Sequence, residues 1–292
     1  MNAIAQARID LAAALRQASR MGLGEGVCNH FSLAVPGREG LFLINPQGLH
    51  WSEIRAADLV MIDYNGKVIE GPHFVEATAF FIHARIHRAR PDAVCVLHTH
   101  MPFATALTLL EEGRLEPASQ TALKFYGRVG YDNEYNGLVL DETEGDRIVR
   151  ALADADVLFL ANHGVIVCGS KVSWAFDDLF YLERACMTQV LAQSTGKPLR
   201  RVREAVAKAT AAEMITDEQR VQSELHFAAL KRELDRIDPM WSSLSEPMRK
   251  LEGRRSPAPF SPAATKGFGR GDALPPPALP LSRRFAAREG GS

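Results

Sequence analysis

The sequence is poor in several things that would have narrowed its class at once. It has only four cysteines in 292 residues, Cys28, Cys95, Cys168 and Cys186, and they are far apart with no C-x-x-C pair. That excludes the dense disulfide framework of small secreted domains and fits a reducing, cytoplasmic setting. No excess of charge of either sign is present, the formal balance being -1, so nothing general favours nucleic acid or an anionic membrane as partner. Long apolar runs are also missing. The longest stretch free of Asp, Glu, Lys and Arg, from Ala93 to Leu110, is interrupted by His98, His100 and Pro102 and does not read as a spanning helix. The first residues carry Arg8, Asp10 and Arg16 within their apolar pattern, unlike the apolar core of a signal peptide. Gly22, Gly24 and Gly26 follow no strand and open no βαβ unit, so they are no dinucleotide fingerprint.

What is present is enough apolar material, 46% of the chain, for a substantial core. A change of composition near Gly253 divides the chain into a domain over 1–252 and a tail over 253–292. The tail holds seven of the sixteen prolines and a balance of +5, leaving -6 on the domain. Its composition predicts a disordered, solvated extension.

Within the domain, helical and strand patterns alternate. Ile4, Leu11, Leu15 and Ala18 recur at helical spacing and stop at Gly22 and Gly24. HFSLAVP and GLFLINP read as strands, and DLVMIDYNGKVIE as a hairpin turning at Asn65-Gly66. A helix closed by Pro91 follows, then the buried strand AVCVLHTH and a helix from Pro102. After the mixed signals of FYGRVGYDNEYNG come a helix from about Thr143 to Ala153, the strand-turn-strand VLFLANHGVIVCG, a long helix closed by Gly196, and helical pattern to about Leu234. Hairpins outnumber crossover units, which predicts an α/β fold: a three-layer αβα domain with a mainly antiparallel or mixed central sheet.

Side chains alternate along a strand, so His98 and His100 share a face while Thr99 points away. Alone, an H-x-H is weak evidence for metal, because histidines at strand ends are commonly only polar rim residues. His163 strengthens it by ending the apolar run VLFLA in the turn Asn162-His163-Gly164. Three histidines at the ends of two buried strands can form the open three-ligand site of a catalytic metal. Glu76, at the start of the helix that leads into the His98 strand, can serve as acid or base beside it, or as a yielding fourth ligand.

Asn29 in GVCNHFS, Glu76 before its helix, the pair in LHTH and His163 in ANHG together resemble the class II aldolase and adducin family over roughly residues 8–240. The resemblance implies that His98, His100 and His163 bind one divalent ion per subunit, zinc first, manganese or another metal in some members. It implies that Glu76 is the catalytic acid/base, and that a tyrosine supplied by a neighbouring subunit handles the proton on the leaving aldehyde oxygen. Tyr135 is the best match for it and Tyr131 the second. A homotetramer with sites at subunit boundaries, substrate contacts from Asn29 and Gly48, and a small-molecule substrate are also implied. The sequence departs from the sugar-phosphate members just before the glutamate. Phe74 and Val75 stand where those have two serines, so a phosphate there would lose two hydroxyl donors, at on the order of 1 to 3 kcal/mol each. A carboxylate or an apolar or aromatic portion suits the substrate better.

Three functions are carried forward. The first is a metal-dependent aldolase-type lyase that cleaves or forms a carbon-carbon bond in a hydroxy-carbonyl compound through a stabilised enolate. The second is a decarboxylase of an aromatic or hydroxy/oxo acid, and the third a non-catalytic adducin-like binding module. Plainer roles compete for some residues. Asn29 and His30 can simply order their turn, and His83 and His87, four apart on the helix after Glu76, suit a surface or packing role. Gln120 and Lys124 can line a pocket or face solvent. Trp174, Phe176, Phe180 and Tyr181 read as a core stripe, with Phe180 and Tyr181 also suited to subunit contacts.

Overall fold

The structure is a computed structural model and describes residues 2–245; the tail from Gly253 that composition sets apart lies outside these residues. Its elements are α1 (Ala3–Arg20), β1 (His30–Ala34), β2 (Leu41–Ile44), β3 (Val60–Asp63), β4 (Val68–Glu70), α2 (Ala77–Ala89), β5 (Cys95–Thr99), α3 (Pro102–Thr108), α4 (Gln120–Leu123), β6 (Val129–Asp132), α5 (Glu142–Leu152), β7 (Val157–Leu160), β8 (Gly164–Gly169), α6 (Val172–Gln193), α7 (Glu204–Met214) and α8 (Asp217–Ile237). The strands form one sheet in the order β4-β3-β2-β1-β5-β8-β7-β6. Every pairing is antiparallel except β6 with β7. Helices cover both faces, as the αβα expectation has it.

Local chemistry sets the ends of these elements. The Asn2 side chain caps α1 by accepting from Ala5 N at 2.7 Å, and the helix stops where Gly22 takes φ +68. Asp141 caps α5 in the same way through Glu144 N. The hairpin at Asn65-Gly66 forms with Gly66 at φ +80, and Asp63 accepts from Asn65 N and Lys67 N inside it. β6 went unread in the sequence. It is four residues long and only partly buried, with Gly130 in it, so it carries little periodic signal. The glycine is needed there, because a Cβ would sit 2.8 Å from Ala151 O.

The two faces of the sheet are packed differently. One face is a single apolar cluster in which Phe31, Leu33, Leu43, Leu97, Val165 and Val167 of the strands meet Leu11 and Leu15 of α1, Leu179 and Leu182 of α6, and Leu230 of α8. Phe176 belongs to it and is fully buried, whereas Tyr181 from the same expected stripe is exposed. Lys124 does not reach a pocket lining; it pairs with Asp177 and Asp178 of α6 beside Arg128 and Arg220.

The opposite face has two separate clusters. Phe42, Ile44, Val60 and Ile62 pack on Val75, Ala79 and Phe80, while Val96, Leu158 and Ile166 pack on Ile82, Ile86 and Ile148. Between them β1 contributes Ser32, whose strand lies between β2 and β5 in the sheet, and α2 contributes His83 and His87. The hydroxyl lies 2.6 Å from His83 Nδ1 and 2.7 Å from His87 Nε2. All three residues are buried. Of the surface or packing role considered for these histidines, packing is the one they have: the α2 face that carries them is pressed onto the sheet, and Ser32 bonds one nitrogen of each ring.

Candidate metal centre and its cleft

β5 and β8 pair so that His98 lies opposite Ile166 and Thr99 opposite Val165. This brings the end of β5 beside the β7-β8 turn that carries His163. His163 N donates to Leu160 O at 3.1 Å, and Asn162 takes a left-handed φ of +56, which throws the imidazole back toward β5. Gly164 completes the turn for a steric reason. A Cβ there would lie 2.7 Å from Thr99 O and 2.8 Å from His100 Cδ2, so only glycine lets β8 start this close to the histidine pair.

The result is three imidazoles whose ligand nitrogens lie within 4.8 Å of one another. Each second nitrogen is accounted for where a partner exists. His98 Nδ1 is 3.0 Å from Val165 O, and His100 Nδ1 bonds the Glu25 carboxylate. A carbonyl or carboxylate accepts a hydrogen bond from Nδ1–H, so Nε2 is the nitrogen each ring has left to offer a cation. His100 Nε2 is buried without a protein partner among the described residues. Burial, then the neighbouring histidines, holds His98 well below the usual imidazole range and His163 at about 4. Neutral imidazoles with convergent lone pairs suit a divalent cation, and this donor set fits one that keeps open positions.

Glu76 is the N-cap of α2, its carboxylate accepting from Ala79 N at 3.0 Å. Thr78 Oγ1 donates to the same oxygen, and His30 Nε2 is 3.3 Å away. Burial alone would raise this carboxyl, but the bonds from His30, Thr78 and Ala79 outweigh it and hold it at about 2. Glu76 is therefore ionised at neutral pH.

A cleft of about 1070 Å³ joins these groups and is also lined by Asn29, His30, Gly48, His73, Phe74 and Tyr135. Asn29 has a left-handed φ of +72, and its side-chain oxygen accepts from His100 N at 3.2 Å. The turn-ordering role is thus real, and it orders the metal-site strand itself. Gly48 has φ +83 and is tied to the Phe74 loop by Gln47 N donating to Phe74 O at 2.8 Å. Of the two residues replacing serines, only Phe74 faces the cleft; Val75 turns the other way into the apolar cluster under α2. The alternation of an extended segment explains this, and the expectation that both line the site is corrected.

The tyrosines separate cleanly. Tyr131 is engaged in structure, with its ring stacked on Phe159 at 5.4 Å, Arg114 over it at 4.2 Å, and its hydroxyl accepting from Leu115 N. Tyr135 is half exposed and its ring lies 6.4 Å from that of His163 in the same chain. Of two further residues at the site, His30 was weighed in the sequence against a turn-ordering role and His73 was missed. His30, which pairs with His98 across β1 and β5 and stacks on it at 5.7 Å, stood in the N-H-x-S segment beside Asn29. His73, 3.5 Å from the buried carboxylate of Asp58, had no motif to mark it.

Comparison with known proteins agrees with this architecture. The family model for the class II aldolase and adducin N-terminal domain matches residues 9–190. A protein of Pseudomonas aeruginosa named for aldolase class 2 is 36% identical over 239 residues, covering 80% of this chain and 91% of its own. The decarboxylase NovR of Streptomyces niveus is 33% identical over 189 residues, or 64% of this chain and 70% of its own. Among solved structures, the L-fuculose 1-phosphate aldolase of Glaciozyma antarctica superposes with a TM-score of 0.73 at 25% identity, covering 82% of this chain and 92% of that one. With its eight-stranded sheet, its histidine trio and the family match over most of the domain, the chain belongs to the class II aldolase and adducin family.

Proposed function

We propose that this chain is a metal-dependent lyase that breaks or forms a carbon-carbon bond in a small hydroxy-carbonyl compound. The observation that carries the proposal is one cleft that holds three convergent imidazoles and an ionised carboxylate. A divalent ion, zinc first and manganese next, held by His98, His100 and His163 would supply positive charge beside the substrate oxygens, where negative charge develops as the bond breaks. Glu76 takes a proton from the substrate carbon in the synthetic direction and returns it after cleavage. Held at about 2, it is deprotonated at rest. Tyr135, on the His163 side of the cleft, handles the proton on the aldehyde oxygen. The free amide nitrogen of Asn29 and the backbone at Gly48 orient the substrate, and Phe74 makes the wall beside Glu76 apolar rather than hydroxyl-lined. The assembly is a homotetramer, and the substrate is a small molecule rather than nucleic acid or lipid; no helix among the described residues is long and apolar enough to cross a membrane.

A second reading has its own support. Phe74 on the cleft wall suits an aromatic or otherwise apolar acid, and one relative is named a decarboxylase. In that case carbon dioxide would leave in place of an aldehyde, a cation held by the three histidines would supply positive charge as before, and Glu76 would return a proton to the carbon. Trapping the released one-carbon or aldehyde product from one panel of hydroxy-carbonyl and aromatic acids decides between them. A zinc-loaded chain that releases neither product from any member, or a His98→Ala variant with undiminished turnover, contradicts the lyase reading altogether.

A further inference from the structure

Helix α3 begins without a cap of its own. Its N-cap residue is Met101, whose side chain makes no capping bond, and its first helical residue is Pro102, which has no N–H. The first amides left to be met are those of Phe103 and Ala104, and both are met from another helix. Glu183 of α6 accepts from Phe103 N at 2.8 Å and from Ala104 N at 2.9 Å, one through each carboxylate oxygen. Glu183 is buried, one turn from Leu179 and from Cys186, which belong to the apolar cluster. A carboxylate in such a place is costly unless it is fully bonded, and these two amides bond it.

Both halves of the histidine trio hang on this helix. His100 stands two residues before α3, and the chain turns from strand to helix within Met101 and Pro102. Met101 takes φ -58 and ψ 137, the shape a residue before proline favours, and it is fully buried. At the far end, Thr108 O accepts from Asn162 N at 3.0 Å, and Asn162 is the residue before His163. With seven residues, or about two turns, α3 is too short to hold its own first turn. What fixes it is α6, which packs against α3, β5 and β8. His98 differs from the other two, since it lies inside β5 with Nδ1 on Val165 O.

We propose that Glu183 is a positioning residue for the histidine trio. By holding the first turn of α3 against α6, its carboxylate sets the place of His100 and, through Thr108 and Asn162, that of His163. The inference rests on the reading of His98, His100 and His163 as metal ligands given above, and it adds a residue from the face of the sheet opposite Glu76. It explains why a carboxylate is buried between Leu179 and Cys186, where an apolar residue would extend the core.

The test uses the full chain with Glu183→Gln, and with Leu179→Ala, one turn earlier on α6, as the control for lost stability alone. The amide of the first variant sets an N–H₂ group against one of the two backbone donors, so one bond is lost. Zinc affinity should fall roughly 10-fold in chelator competition, and the visible bands of the cobalt(II)-loaded protein should shift. In the metal-free chain the backbone amide signals of His100 and Asn162 should move while that of His98 stays. Leu179→Ala should leave all of these as in the wild type. Glu183→Asp, drawn back by one carbon-carbon bond, cannot hold both amides at their present lengths; it should change the same readouts less, and it decides if Glu183→Gln does not fold. Wild-type zinc affinity with an unshifted cobalt spectrum in a folded Glu183 variant, unmoved His100 and Asn162 signals, or the same changes in Leu179→Ala overturn the proposal. A wild-type chain that takes up neither zinc nor cobalt speaks against the lyase reading alone, and the amide signals of the metal-free chain then decide on Glu183.

Discussion

The two faces of the sheet solve one packing problem in different ways. Against α1, α6 and α8 the strands present one continuous apolar surface, and the ionic groups there, Asp177 and Asp178 with Lys124, Arg128 and Arg220, lie among the helices. Against α2 and α5 the apolar surface is cut in two by Ser32, His83 and His87, in line with His30 and His98. A continuous layer makes a scaffold. A layer that carries a seam of five polar residues along the central strands to their ends gives up apolar burial to hold imidazoles in fixed orientations, which is the arrangement expected where a site must be pre-organised. The difference therefore locates function on one side of the molecule.

The largest effect should come from the end of the seam. Glu76→Gln keeps the shape but loses the base, and turnover should fall roughly 10²- to 10⁴-fold; near-normal kcat in a steady-state assay on any accepted substrate would break the assignment. On the scaffold face, Leu179→Ala leaves a cavity in a fully buried position and should cost about 2 to 5 kcal/mol in denaturant unfolding, with metal affinity unchanged. Ser32→Ala on the other face should cost less, about 1 to 3 kcal/mol, by leaving two buried imidazoles short of a partner. If the two variants reversed their order, the seam would be a more important structural element than the scaffold core.

The faces should also separate by pH in the metal-free protein. Burial holds His87 at about 4 against an ordinary 6.5. Between those values the unfolded chain takes up a proton that the folded chain refuses, so stability is fully present above 6.5 and declines as pH falls toward 4, by on the order of 3 kcal/mol for this group. Asp178 works lower. Burial opposes its ionisation, but Arg220, Arg128 and Lys124 hold it at about 2 against 3.8, so its contribution is present above 3.8 and lost as pH falls toward 2. His87→Phe should make the upper decline in urea midpoints shallower, with His163, also held at about 4, keeping part of it, and leave the lower one; an unaltered upper slope would show that the seam does not titrate there.

The smallest effect is the sharpest test of how the metal ligands are oriented. Glu25 is the carboxylate behind His100 Nδ1. Glu25→Gln should weaken zinc about 10- to 100-fold in chelator competition, and an unchanged affinity would make that contact a surface ion pair only.

Much of this was legible in the sequence because it rides on strong periodic or punctuating signals. The β1-β2 and β3-β4 hairpins, α2 ending at Pro91, and β7-turn-β8 all lie close to where alternation, Asn65-Gly66 and Asn162-His163-Gly164 place them. The trio was legible for the same reason: each histidine ends an apolar run. Glu76 followed from its place before α2, although nothing local showed that it also caps the helix. What escaped depends on tertiary contact. β6 is short and holds a glycine fitted to Ala151 O, and His83 and His87 looked like ordinary helix polars until Ser32 came against them. Val75 and Phe74 are adjacent in sequence and opposite in direction, which decides what the cleft wall is made of.

The central claim is that His98, His100 and His163 hold the ion on which the chemistry depends. Zinc content by elemental analysis, paired with chelator-competition titration of the wild type and His98→Ala, tests it most directly. The account predicts about one ion per wild-type chain, in keeping with a single three-histidine centre, and loss of that ion in a variant that still folds. A wild-type chain that binds no divalent metal, or a His98→Ala chain that binds it equally tightly, would contradict it.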